Sequence, residues 1–203
     1  MDSSLKTIES NQVYLDIDFN LLDLQNQRFQ SVQFEKCKFI GCNFQESSFL
    51  KCSFTDCEFK NCNLSVCDVA DSTFDVANFL DSKLYGIKWN KASQRLGFRV
   101  KFENCVLDLC NFASLDIKET NFSKSSIKEG YFHNNNLVKA KFGGCDLTQA
   151  LFHECDLSKA DFRGATNYSI DFRTNKLDKA QFNLPEAISL LDGLNIITTW
   201  SED

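Results

Sequence analysis

An apolar residue recurs at every fifth position along most of this chain, a period that neither an α-helix, with 3.6 residues per turn, nor an alternating strand can use. Stepping by five from Tyr14 gives Phe19, Leu24, Phe29, Phe34, Phe39, Phe44, Phe49, Phe54, Phe59, Leu64, Val69, Phe74, Phe79, Leu84 and Trp89. In a sequence that is 43% hydrophobic, an unbroken run of that length arises by chance roughly once in a million trials. The frame lapses after Trp89 and resumes at Phe102, an offset that is not a multiple of five. The second run passes through Leu107, Phe112, Ile117, Phe122, Ile127, Phe132, Leu137, Phe142, Leu147, Phe152, Leu157 and Phe162, skips a step at Asn167, and recovers at Phe172, Leu177 and Phe182.

The position two before each of these residues is nearly as restricted. Cys37, Cys42, Cys52, Cys57, Cys62, Cys67, Cys105, Cys110, Cys145 and Cys155, all ten cysteines of the chain, fall there, and Ser47, Ser72, Ala77, Ala140, Ala150, Ala160 and Ala180 fill further copies of the slot. A small inward residue beside a large one is how a narrow coil fills its interior, and a free cysteine packs there as a small hydrophobe. The composition agrees, with twenty Phe against one Met, one Pro and two Trp, the bias of one small unit used many times. A coil of four five-residue sides satisfies the pattern. Each side turns a corner, each central residue points to the axis, residues twenty apart stack, and hydrogen bonds between coils set a rise of ~4.8 Å. Runs over 12–91 and 100–184 make roughly eight coils and a rod of about 40 Å by that spacing.

The tandem units FEKCK, FIGCN, FTDCE and FKNCN, and later ADFRG and CDLSK, resemble the pentapeptide-repeat proteins, whose consensus is small, Asp or Asn, Leu or Phe, then two variable residues. The resemblance covers residues 12–184. It implies an all-β solenoid, a right-handed quadrilateral β-helix. The residues themselves divide the chain into an amino-terminal extension or cap over 1–11, the repeats over 12–184 with the register break at about 90–101, and a short carboxy-terminal helix and tail over 185–203. The tail, ATNYSID followed by NKLDKAQFNLPEAISLLDGLNI, looks like the end of a bacterial subgroup that includes albicidin-resistance proteins and, more distantly, quinolone-resistance (Qnr) and microcin-immunity proteins. Resemblance to that subgroup implies a homodimer joined through the carboxy-terminal ends. It also implies binding to DNA gyrase or topoisomerase IV by mimicry of DNA, with protection against poisons of these enzymes.

The residues offer their own tests of that implication. Folding the first run at period twenty lines up Asp16, Asp18, Glu35, Asp56, Glu58 and Asp75, interrupted by Lys36 and Lys38, six acids against two bases. Such a ridge could imitate a phosphate backbone for a basic groove; the plainer reading is that an acidic protein carries its carboxylates outside. Residues 100–184 carry eleven acids and eleven bases, so a negative field along the whole rod is not expected. The break is basic: Lys83, Lys88, Lys91, Arg95, Arg99 and Lys101 lie there with no acid among them. It reads either as a loop contacting an acidic patch of a partner or as a bulge that changes the coil register, the second reading being preferred.

A solenoid also needs its ends covered, because an open coil exposes an unpaired edge and a hydrophobic bore. In the tail, Pro185 suits the first turn of a helix, Glu186 its positive end and Gly193 its stop. Leu190, Leu191, Leu194, Ile196 and Ile197 then either plug the bore or meet a second copy.

Several chemistries are set aside. Net charge is −6, which disfavours direct nucleic-acid binding. No stretch approaches the roughly 18 to 20 apolar residues of a membrane span. The opening MDSSLKTIES lacks a basic cluster followed by an apolar stretch, so a cytoplasmic protein with free thiols is expected. Cysteines five apart do not match the close CxxC pairs of zinc sites. His133 and His153 should stack on the outside beside Glu154, and the expectation is two solvated imidazoles rather than a metal site. No cofactor is expected, and no nucleophile–base constellation or phosphate-binding glycine loop is present, so the reading is a non-enzymatic interaction protein. The alternative is a scaffold for another protein partner, with no topoisomerase role.

Overall fold

The computed structural model describes residues 7–95, 97–192, 194, 196 and 199, and these form a parallel β-solenoid with four sides to a coil. Its strands pair only in parallel, each with the strand twenty residues later except across the register break. Val13–Leu15 pairs with Gln33–Glu35, which pairs with Ser53–Thr55. On the next side Asp18–Asn20, Lys38–Ile40 and Glu58–Lys60 pair in turn. The strand Thr73–Leu80 runs around the corner at Val76 and joins both sides into one eight-stranded sheet. Elsewhere the coils meet through single parallel bridges, such as Asn43 with Asn63 and Asp146 with Thr166.

The spacing-predicted inward residues form continuous columns of rings. Phe19, Phe39, Phe59, Phe79, Phe102, Phe122, Phe142, Phe162 and Phe182 stack face to face, with successive centroids 4.6 to 5.5 Å apart. Tyr14, Phe34, Phe54 and Phe74 form a second column. Rings of adjacent sides meet edge to face, as Phe34 does with Phe39 at 5.2 Å, the arrangement that sets the positive edge of one ring against the negative face of another.

Each corner is made by the residue two past the inward one. Asp16, Leu21, Lys36, Asp56, Val66, Glu119 and Lys139 all adopt φ between 52° and 60°, a left-handed conformation that is unfavourable for L-residues. Hydrogen bonds between coils hold it: the corner N–H donates to the carbonyl nineteen residues on, as in Asp16 to Glu35 (2.9 Å) and Lys36 to Thr55 (2.9 Å). The residue before the inward one closes the turn from outside. The side-chain oxygens of Asn43, Asn63, Asn121, Asp156 and Asp161 accept from the N–H two residues later, an Asx turn.

The register break is an insertion of three residues. Before it coils pair at a separation of twenty; across it Lys83 pairs with Val106 and Phe79 with Phe102, a separation of twenty-three. A bulge between Arg99 and Val100 absorbs the change, and Phe98 turns inward against Phe74 and Trp89 as an additional core ring.

The second lapse in the frame resolves differently from the sequence expectation. Phe172 is exposed, while Tyr168 and Ile170 are buried in its place. Tyr168 lies against Phe162 and Phe182. The turn over 171–174 is fixed instead by Asp171, whose carboxylate accepts from the Arg173 backbone and guanidinium at 2.7 to 3.2 Å. Coil pairing is restored at Asp156 with Lys176.

Ile8 joins the core at the amino-terminal end. At the other end the short helix is a 3-10 segment over Glu186–Leu191, with Pro185 as its N-cap.

Candidate partner-binding surface

Parallel, in-register stacking places side chains of equivalent positions one coil apart in straight files along the outside. The six acids of the first run therefore share one edge of the rod, but the same register sets the two lysines directly between them. Asp18 pairs in register with Lys38, and Lys38 with Glu58. Asp16, Lys36 and Asp56 occupy successive copies of the same left-handed corner, and Lys36 also reaches the neighbouring Glu35 at 3.8 Å. The edge is thus an alternating file with an acidic excess.

Asp75, the last of the six, is bound by Arg99. The guanidinium Nε donates to Oδ1 at 2.6 Å, and Asp75 retains only 17% of its side-chain exposure. Acidic edge and basic break, which the sequence presents as separate features, therefore meet at one ion pair. Lys91, Arg95 and Lys101 are exposed around the insertion. Beside it opens a groove of about 570 Å³ lined by Val76, Phe98, Arg99, Lys101, Lys118 and Glu119 among others. This is a concavity that the five-residue pattern does not foretell, because it comes from the bulge.

The second run is self-neutralising through local pairs. Lys128 reaches Asp146 at 3.1 Å, Lys139 reaches Glu119 at 2.7 Å, Arg163 reaches Asp161 at 2.7 Å and Lys176 reaches Asp156 at 3.1 Å. The Asp146 carboxyl is held well below the usual carboxylate range by hydrogen bonds from Asn167 and Thr148, with Lys128 adding to them. Arg173 holds Asp171 down to about 2.

The tail residues divide. Leu190 packs against the core, whereas Leu191, Leu194 and Ile196 are exposed, as is Leu184. Ile197 and Gly193 lie outside the described residues.

Inside the coil, burial pushes the thiols of Cys67, Cys105, Cys110 and Cys145 up to about 12. They stay protonated at neutral pH, and all ten cysteines are free and buried. The rings of His133 and His153 stack outside at 5.4 Å and 9°, with Glu154 beside them.

These features define a repeat-built parallel solenoid whose side chains fill its axis and whose variable chemistry faces outward. The profile of the pentapeptide repeat region matches residues 27–112 and 97–182, and the chain belongs to the pentapeptide-repeat family. No curated protein sequence matches it. Among solved structures, two trypsin-treated single-residue variants of QnrB1, a plasmid-mediated fluoroquinolone resistance protein, are similar. One superposes with a TM-score of 0.74 at 17% identity, over 95% of this chain and 99% of that one. The other gives 0.75 at 18% identity, over 94% and 97%. HetL, a pentapeptide repeat protein involved in heterocyst differentiation regulation in the cyanobacterium Nostoc, gives 0.42 at 15% identity, over 85% and 86%. At 17 and 18% identity the similarity to the QnrB1 variants is one of fold.

Proposed function

We propose that this protein is a non-enzymatic, cytoplasmic ligand of a bacterial type II topoisomerase, DNA gyrase or topoisomerase IV, and protects it against fluoroquinolone-type poisons. The observation that carries the reading is end-to-end correspondence with a fluoroquinolone resistance protein over 95% of this chain and 99% of that one. It joins the resemblance of the tail to the topoisomerase-protecting subgroup. In this reading the edge bearing Asp16, Asp18, Glu35, Asp56, Glu58 and Asp75 faces the basic DNA-binding surface of the enzyme, and the rim of the break, with Lys91, Arg95, Arg99 and Lys101, supplies a second contact. Two rods join as a homodimer at their carboxy-terminal ends.

A second reading is a scaffold for another protein. It is favoured by the alternation of Lys36 and Lys38 with the acids and by the paired charges of the second run, both of which weaken the field a DNA mimic needs.

The purified protein titrated into a gyrase supercoiling reaction poisoned with a quinolone separates the two. Topoisomerase protection predicts restored supercoiling, and loss of that rescue in the triple variant Asp56→Lys, Glu58→Lys, Asp75→Lys. No effect on the cognate gyrase, or on topoisomerase IV in a matching decatenation assay, would leave the scaffold reading.

A further inference from the structure

We propose that His133, His153 and Glu154 form a surface site for a first-row divalent transition cation of the zinc or copper type. The fold builds the site from its period. His133 and His153 are in-register partners of the parallel pair Tyr131–His133 and Leu151–His153, so their rings project side by side, one coil apart. Glu154 follows at the left-handed corner, φ 54°, which turns its carboxylate back across both rings. The His133 Nε2 lies 3.8 Å from Glu154 Oε2, and the His153 Nε2 lies 3.7 Å from Oε1. One ligand atom from each of the three residues falls within 4.8 Å of the others.

Those separations suit an ion better than direct hydrogen bonds. An N–H···O bond closes at about 2.9 Å, whereas ligands held at about 2.0 to 2.1 Å around a tetrahedral ion stand roughly 3.3 Å apart. A rotamer adjustment of a few tenths of an ångström bridges the difference, and the side chains are free to make it, being 34%, 45% and 60% exposed. The backbone beneath is fixed: the His133 carbonyl accepts from Ser114 at 2.8 Å and the His153 carbonyl from Asn134 at 3.0 Å.

Two imidazoles and one carboxylate select zinc, copper or nickel over magnesium and calcium, which want oxygen ligands. The neighbouring cation does not compete for the carboxylate, because Arg173 in the following coil is held by both oxygens of Asp171. Affinity is limited from behind. His133 Nδ1 is buried without a hydrogen-bond partner, and missing such an orienting acceptor typically costs about 10- to 100-fold. Solvent completes the coordination.

The test is zinc chloride titrated calorimetrically into the full-length, EDTA-treated protein, with copper(II) electron paramagnetic resonance as a second readout. Wild type should bind one equivalent and show nitrogen hyperfine structure from copper. His153→Gln should weaken binding at least about tenfold, and the double variant His133→Gln, His153→Gln should abolish it while its circular dichroism stays that of the wild type. Zinc should raise the melting temperature of the wild type and not of the double variant. The absence of saturable binding at about 100 µM zinc, or equal binding by the double variant, which would move the metal to the cysteines, overturns the proposal.

Discussion

Each of the ten cysteine thiols donates to a main-chain carbonyl of an inward residue in the preceding coil. Cys42 reaches the Phe19 oxygen at 3.3 Å, Cys62 that of Phe39 at 3.2 Å, Cys67 that of Phe44 at 2.9 Å and Cys145 that of Phe122 at 3.0 Å. Ser47, Ser72, Asn135 and Asn175 donate from the same slot to Leu24, Phe49, Phe112 and Phe152. The slot therefore takes small residues, many of them donors, although Ala77, Ala140, Ala150, Ala160 and Ala180 fill it without donating. Its smallness is legible in the sequence because volume alone imposes it, but the donor role is concealed, since cysteine reads as a small hydrophobe. Cys67→Ser should accordingly cost less than about 1 kcal/mol, while Cys67→Val, which adds volume and removes the donor, should cost about 1–3 kcal/mol. Urea unfolding monitored by circular dichroism distinguishes them, and equal losses would show that the thiol bond contributes nothing.

At the scale of the single side and its corner, the surprise is which residues turn the chain. Twenty-seven described non-glycine residues have positive φ, among them Leu21, Val66, Val76 and Leu109, types that normally avoid the left-handed region. Propensity could not have located these corners; only the period does, because a four-sided coil needs a bend every five residues. The same logic explains where the period misled. Phe172 stands at the correct spacing yet is exposed, since the Asp171–Arg173 fork imposes its own turn and Tyr168 and Ile170 reach the axis first.

Corner chemistry also fixes the acid response of the second run. Asp146 accepts from Asn167 Nδ2 at 2.9 Å and Thr148 Oγ1 at 2.6 Å, and pairs with Lys128, all of which favour the ionised form. Its folded pKa is depressed relative to an unfolded value of about 3.9. The stabilisation is therefore complete above about pH 4 and is lost as pH falls below it toward the folded value. Asp146→Asn should lower stability by about 1 kcal/mol at pH 7 and flatten its decline between about pH 4 and pH 2, read from denaturant midpoints across that range. A variant with the wild-type acid slope would remove Asp146 as a contributor.

Over the whole molecule, the continuous Phe column carries one core through the three-residue insertion, with Phe79 and Phe102 stacked at 5.3 Å across it. What distinguishes the two ends is how they are covered. At the carboxy-terminal end Leu190 packs against the core, but Leu184, Leu191, Leu194 and Ile196 remain 79%, 38%, 41% and 54% exposed. So many apolar side chains on one small terminal element are costly to leave in water, and a second copy applied about a twofold axis would bury them against themselves. Homodimerisation proposed at this end predicts a particle of twice the chain mass by light scattering after size exclusion. The double variant Leu191→Asp, Leu194→Asp should convert it to a monomer with little change in melting temperature, because those side chains do not line the bore. Leu190→Asp is the contrasting case: it uncovers the core and should lower the melting temperature whatever the oligomeric state. A wild-type protein that stays monomeric up to about 100 µM, well above micromolar association, would refute the dimer and leave the exposed leucines to a different partner.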